Sequence, residues 1–420
     1  MSDRTIEPAE LTIARLGRDG DGCADTANGP IFIPLALPGE RYRDTADGAG
    51  ERLGVPSPDR VAPPCRHFGI CGGCAAQHMA PALYRSWKEG LIRAGFRTQG
   101  LEIELVSMYF AEPRSRRRAA LTGRVNGGKV RLGYHERRSH SLVDLGECPV
   151  LTDPITVKFP ALRELAAYIG AGAAKPGKPV ELRIEVADLA GGLDVAVHGS
   201  GAPPTMQAAA QLAIIARRAG FARLTIEGLT VCAERDPQLI TEAGAIVPPP
   251  GAFFQAVATA EAHMAQLITA GIGKSKRVAD LYCGTGTFSL PLARRARVTA
   301  IDSDKAALAA LTHGARFASN LKPIEARLRD LAAEPLSPLE LAEVDAVVFD
   351  PPRAGAKAQC EMIARSKIGT VVAVSCNPGT LARDCRILVD AGFELGAVHG
   401  IDQFLWSPHV EAIVTLTRRR

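Results

Sequence analysis

After residue 275 short apolar runs alternate with helical stretches, a pattern that leaves few folds open. Arg277–Tyr282, Val298–Asp302, Asp345–Asp350 and Thr370–Ser375 are continuous in apolar residues, as strands buried on both faces are. Between them Phe288–Ala296, Lys305–Ser319 and Asn377–Ala391 read as helices. Strand and helix in turn predict a doubly wound parallel sheet of Rossmann-like kind. Such a sheet holds its ligands beyond the carboxyl ends of the strands.

That sheet does not account for 420 residues, a length that fits two or three domains. Hydrophobic residues at 46% and charged residues at 23% give a globular composition and exclude a disordered chain. The expected organisation is multidomain α/β, divided at 1–58, 59–247 and 248–420. Residues 5 to 58 carry short β segments, Leu11–Ala14 and Ile31–Pro34, around a Gly-Arg-Asp-Gly-Asp-Gly turn at 17–22. This texture predicts a small OB-like barrel, a fold often used on nucleic acid, with Pro56, Pro58, Pro63 and Pro64 at its exit. The middle portion reads as α+β: Glu181–Val186 and Leu193–His198 as paired strands joined through Gly191-Gly192, and Thr205–Gly220 as a helix. Pro248-Pro249-Pro250-Gly251 marks the next boundary. Met1–Glu10 shows no leader pattern, and no apolar run approaches the ~20 residues of a membrane span. A soluble, cytoplasmic monomer is expected.

Charge is unevenly placed. Between Ala111 and His140 nine basic residues, among them Arg116, Arg117 and Arg118, face only Glu112 and Glu136. That balance of +7 exceeds the +5 of the whole chain. It reads as a footprint for a polyanion, the alternative being a solvated basic face.

Three of the ten cysteines fall in Cys-Arg-His-Phe-Gly-Ile-Cys-Gly-Gly-Cys, at Cys65, Cys71 and Cys74. Cys148, within Gly-Glu-Cys-Pro, is the candidate fourth ligand. A reducing compartment disfavours disulfides, and four thiolates can hold an iron–sulfur cluster or a tetrahedral zinc. Spacing alone does not choose between them.

In the sheet domain, Val278–Tyr282 runs into Cys283-Gly284-Thr285-Gly286, and Asp302 ends the next run. Glycines at that junction admit a ligand close to the backbone, and the acid can bind ribose hydroxyls. This arrangement resembles class I S-adenosylmethionine-dependent methyltransferases. Asp350-Pro351-Pro352-Arg353 and Ser375-Cys376-Asn377-Pro378 end two further strands at the same edge. A helix N-terminus beside Cys376 is expected to lower its thiol pKa. Carbon 5 of a pyrimidine cannot attack a sulfonium methyl unaided. Thiolate addition at carbon 6 creates an enolate that can, after which a base must remove the carbon 5 proton. Glu411, in His409-Val410-Glu411, is the candidate base.

Residues 280–288, 350–353, 375–384 and 409–411, with Phe253-Phe254-Gln255, together resemble the bacterial RNA uracil-5 methyltransferases. The resemblance implies that Gln255, Tyr282, Asp302, Asp330 and Asp350 touch or orient S-adenosylmethionine and the uracil. It also implies a base-stacking Phe253, Cys376 as nucleophile and Glu411 as base. The N-terminus looks like a TRAM domain, the family's RNA-binding barrel. Members that carry the cysteine pattern bind a [4Fe–4S] cluster and act mainly on 23S ribosomal RNA, so Cys65, Cys71, Cys74 and Cys148 are the implied ligands. Val257 and Thr287 stand where the family usually or often has Asn. The alternatives are a tRNA uridine-5 methyltransferase, a cytosine-5 RNA methyltransferase, and a non-catalytic RNA-binding assembly factor. The cytosine-5 enzymes typically carry a second cysteine after the Pro-Pro pair, where this chain has Arg353.

Overall fold

A computed structural model describes residues 10–419 apart from 46, 47, 49 and 174–177. The leader reading therefore falls almost wholly outside the described residues, as does the start of the 5–58 region. No helix among the described residues is long and apolar enough to cross a membrane.

The expected parallel sheet is present and larger than the sequence suggested. Its eight strands run in the order Ile324–Leu328, Arg297–Asp302, Arg277–Leu281, Ala346–Phe349, Thr370–Ser375, Glu411–Arg418, Phe393–Asp402 and Leu105–Phe110. The first five pair in parallel, whereas Glu411–Arg418 lies antiparallel to both its neighbours. Val278, Ala279, Val347, Val348, Val371 and Val372 are buried, as strands covered on both faces require. One face packs on helix Ala258–Gly271 and helix Lys305–Phe317, the other on helix Lys357–Ala364 and helix Pro378–Asp390.

The last strand, Leu105–Phe110, comes from far upstream and pairs in parallel with Phe393–Asp402. Helix Pro81–Arg97, just before it, packs through Ile92 and Phe96 into the second of these cores. Lys88 on that helix is fully buried and paired with Asp402 at 2.7 Å. Its ammonium also donates to the carbonyls of His409 at 2.5 Å and Phe404 at 3.4 Å. The segment leading to Glu411 is thereby fastened from outside the sheet.

The middle portion forms a seven-stranded sheet with its own core. Val180–Leu189 and Gly192–His198 pair antiparallel about the Gly191-Gly192 turn, where φ is positive at both glycines. Helix Met206–Ala219 is capped by the Thr205 side chain and ended by Gly220 at φ 74. At the N-terminus the strands fall into two antiparallel three-stranded sheets. Glu10–Thr12, Arg41–Arg43 and Glu51–Leu53 form one, and Arg15–Leu16, Gly22–Thr26 and Gly29–Ile33 the other. Leu11, Ile13, Ala24, Ile33 and Tyr42 make their core.

Candidate active site

Register places the reactive groups. Leu281 pairs with both Ile301 and Phe349, so Tyr282, Asp302 and Asp350 emerge together at the carboxyl ends of adjacent strands. Ser375 pairs with Ala412, which sets Cys376 and Glu411 side by side at the same edge. All of these line one cavity of about 810 Å³, together with Gln255, Phe253 and Arg353. Asp330, two residues past the carboxyl end of Ile324–Leu328, is exposed outside that lining; its carboxylate accepts the backbone N–H of Ala332 and Ala333, and its charge reaches Tyr282.

At one wall the chain turns sharply. Tyr282 holds φ 60, a left-handed conformation rare outside glycine, at the exit of its strand. Gly286 has φ 87, and a Cβ there would stand 2.3 Å from Leu311. The N–H of Gly284 donates to Asp302 at 2.8 Å and that of Asp304 at 2.9 Å, which orients the carboxylate. Thr285 Oγ1 lines this wall, buried and without a partner among the described residues. An unpartnered hydroxyl beside an oriented carboxylate and a backbone with no side chain fits a ligand bearing ribose hydroxyls.

The opposite wall carries the candidate chemistry. Gln255 Nε2 donates to Asp350 at 2.9 Å. Gln403, which the sequence reading did not single out, donates to Gln255 Oε1 at 2.5 Å and to Glu411 Oε1 at 3.1 Å. Burial holds the Asp350 carboxyl up at about 7, against the pull of the Gln255 hydrogen bond. Burial, then the neighbouring Asp350 charge, pushes Glu411 well above the usual carboxylate range. Cys376 is half-buried at the start of helix Pro378–Asp390, whose first turn Asn377 caps. Its thiol is not lowered, as the helix N-terminus led us to expect. Burial raises it to about 11, reinforced by Glu411 and Asp350 and opposed by Arg353. Burial comes first among these influences, and the two neighbouring carboxyl groups add to it.

The basic segment is largely engaged within the protein. Arg114 pairs with Asp153, Arg124 with Glu181, and Arg137 and Arg138 with Asp21. Arg117 is buried against Glu261 at 2.7 Å and donates to the Gln255 carbonyl, so it is not a phosphate contact. Arg118 lies 4.1 Å above the ring of Phe253, which is 64% exposed.

Cys65, Cys71, Cys74 and Cys148 line the same cavity. Burial raises the thiols of Cys71, Cys74 (to about 12) and Cys148, and negative charge on the neighbouring cysteines raises each further. Four thiols gathered on one cavity wall supply the sulfur donor set that a thiolate-bound group needs once they are deprotonated. Among the described residues no group of three or more His, Cys, Asp or Glu is arranged to hold a metal ion as it stands.

A family model described as tRNA (uracil-5-)-methyltransferase matches residues 248–419. An uncharacterized RNA methyltransferase of Rhizobium meliloti is 44% identical over 97% of this chain and 99% of its own length. The 23S rRNA (uracil(1939)-C(5))-methyltransferase RlmD of Halomonas elongata is 33% identical over 97% of this chain and 89% of its own. The solved tRNA (uracil-54, C5)-methyltransferase of Pyrococcus abyssi, bound to S-adenosyl-L-homocysteine, shares the fold. Its TM-score is 0.71 at 21% identity, covering 97% of this chain and all of that one.

Proposed function

The chain belongs to the S-adenosylmethionine-dependent RNA uracil-5 methyltransferases, and from that premise we propose that it methylates carbon 5 of a uridine in 23S ribosomal RNA through a covalent Cys376–carbon 6 adduct. The observation that carries this reading is the meeting of Cys376, Asp350 and Glu411 in one cavity with the Gly284–Asp302 wall. The choice of 23S RNA draws on the four-cysteine set and on the Halomonas relative, which is named for that substrate.

Cys376 loses its proton to solvent and adds to carbon 6 as a thiolate, the displaced carbon 5–carbon 6 electron pair forming the enolate. Bound S-adenosylmethionine supplies an electrophilic methyl to the enolate carbon that results. Tyr282, Thr285 and Asp302 hold that donor, and Gln255 and Asp350 orient the uracil edge. Glu411 then takes the carbon 5 proton, the carbon 5–carbon 6 double bond re-forms, and the thiolate leaves. Phe253, exposed beneath the Arg118 guanidinium, is the surface on which a splayed base stacks. Cys65, Cys71, Cys74 and Cys148 would hold a [4Fe–4S] cluster, a clamp between residues 65–74 and the loop around residue 148. The paired N-terminal sheets we read as the RNA-binding barrel.

Unmodified 23S and tRNA transcripts, incubated with labelled S-adenosylmethionine and digested for mass spectrometry, test the proposal. 5-Methyluridine in the 23S transcript is expected, and none with Cys376→Ala. Product in tRNA alone would move the substrate. 5-Methylcytidine, or RNA binding without any transfer, would overturn the reading.

A further inference from the structure

Gln403 is buried at 1% exposure between two residues given roles above, and its hydrogen bonds have a fixed direction. The backbone N–H of Ala256 can only donate, and it meets Gln403 Oε1 at 2.8 Å. The side-chain amide nitrogen must therefore face the other way, toward Gln255 Oε1 and Glu411 Oε1. Both of its hydrogens are then engaged. The same polarity turns the Gln255 amide nitrogen to Asp350. One backbone donor thus orients two amides and two carboxyl groups. Glu411 is left with one oxygen held and the other, Oε2, buried without a partner among the described residues.

An unpartnered carboxylate oxygen in a desolvated site is basic. A neutral amide is suited to holding its sister oxygen, because a cation there would stabilise the carboxylate and weaken it as a base. We propose that Gln403 is a positioning residue for the final step of the reaction: it fixes Glu411 Oε1 so that Oε2 faces the proton on carbon 5. This rests on the reading of Glu411 as the base. In the step itself, Oε2 takes the proton and the carbon–hydrogen electron pair becomes the carbon 5–carbon 6 double bond. The carbon 6–sulfur bond breaks, and its pair departs on Cys376 as thiolate. Cys376 addition and methyl transfer come earlier and do not need Glu411 in this pose.

The test is single-turnover methylation of an unmodified 23S transcript by full-length Gln403→Met, Gln403→Glu and Glu411→Gln proteins. Melting temperature and S-adenosylhomocysteine binding are measured on each. Gln403→Met removes both amide contacts, whereas Gln403→Glu keeps the acceptor for Ala256 and loses the donor. Both should slow methyl transfer modestly, because Gln255 loses a partner, yet slow release of the RNA by a further ~10–100-fold, the range of losing one buried hydrogen bond to a charged group. The methylated RNA should survive denaturing electrophoresis as a slow band that requires S-adenosylmethionine. Normal release by both Gln403 variants, with a band in Glu411→Gln, would overturn the role of Gln403 and leave the base intact. A Glu411→Gln protein that releases normally would overturn the base reading itself. Equal loss of methyl transfer and release in folded Gln403 variants would also overturn the proposal, assigning Gln403 to the integrity of the site as a whole.

Discussion

Arg117 and Glu261 are paired at 2.7 Å with both side chains buried, and the same guanidinium donates to the carbonyl of Gln255. The pair joins the seven-stranded middle sheet to the helix that follows Gln255. Burial pushes the two groups toward their neutral forms more than the partners' charges pull them back, lowering Arg117 and raising Glu261 to about 7. Each is the condition for the other's charge.

The first prediction follows from that dependence. Arg117→Ala leaves a buried carboxylate unpaired, which costs about 3–5 kcal/mol. The melting temperature should fall, and kcat should fall with it as Gln255 loses its anchor. Because Arg117 meets no phosphate, the slope of log Kd for RNA against log salt should stay that of the wild type. A slope smaller by about one would return Arg117 to the RNA surface.

Arg117 also shows where the sequence misled. A run of arginines has one signature whether it meets phosphate or acid, and Glu261 lies 144 residues away. Strand Leu105–Phe110 was unreadable for a similar reason. It is a parallel edge strand whose partner, Phe393–Asp402, lies nearly 300 residues downstream. What could be read was local. Strands buried on both faces are written as apolar runs, so four central strands and the residues at their carboxyl ends could be read, among them Asp302, Asp350 and Cys376, but not the order of the sheet. Gln403 escaped because an amide carries no chemical signature until Ala256, Gln255 and Glu411 surround it. The helix end beside Cys376 is local in sequence, whereas the burial that raises its thiol, and the two carboxyl groups that add to it, arise only in the fold.

A second prediction concerns the four cysteines that share the cavity. Protein purified without oxygen should be brown and absorb broadly near ~400 nm, as thiolate-ligated iron–sulfur clusters do. Cys71→Ser should bleach it and release iron and sulfide. Colourless protein holding stoichiometric zinc would refute the cluster.

The wall around Asp302 yields a third. Its carboxylate is already oriented by the N–H groups of Gly284 and Asp304, so its free lone pairs are preset for hydroxyl donors. Asp302→Ala should weaken S-adenosylhomocysteine binding by ~10–100-fold, the range for a lost hydrogen bond to a charged group. Asp330→Ala, whose carboxylate caps the turn at 332–333, should weaken it far less. Calorimetric titration of both variants measures the difference, and equal losses would place Asp330 at the ligand beside Asp302.

The last prediction separates the forces on the Cys376 thiol. In the free enzyme burial, Glu411 and Asp350 hold it at about 11, while Arg353 pulls the other way. Below that value the thiolate fraction grows about tenfold per pH unit, so alkylation of Cys376 by iodoacetamide should climb steadily from pH 7 to 10. The sign of each neighbour can be checked separately. Glu411→Gln removes an anion that disfavours the thiolate, so the profile should move to lower pH. Arg353→Ala removes the cation that favours it, so the profile should move to higher pH. The measurement is the alkylation rate of the peptide containing Cys376, followed by mass spectrometry because nine other cysteines are present. A thiol that alkylates fully at pH 7, or shifts in the same direction in both variants, would mean that the helix N-terminus governs it after all. The opposite shifts would show that the free enzyme keeps its nucleophile protonated until substrate arrives.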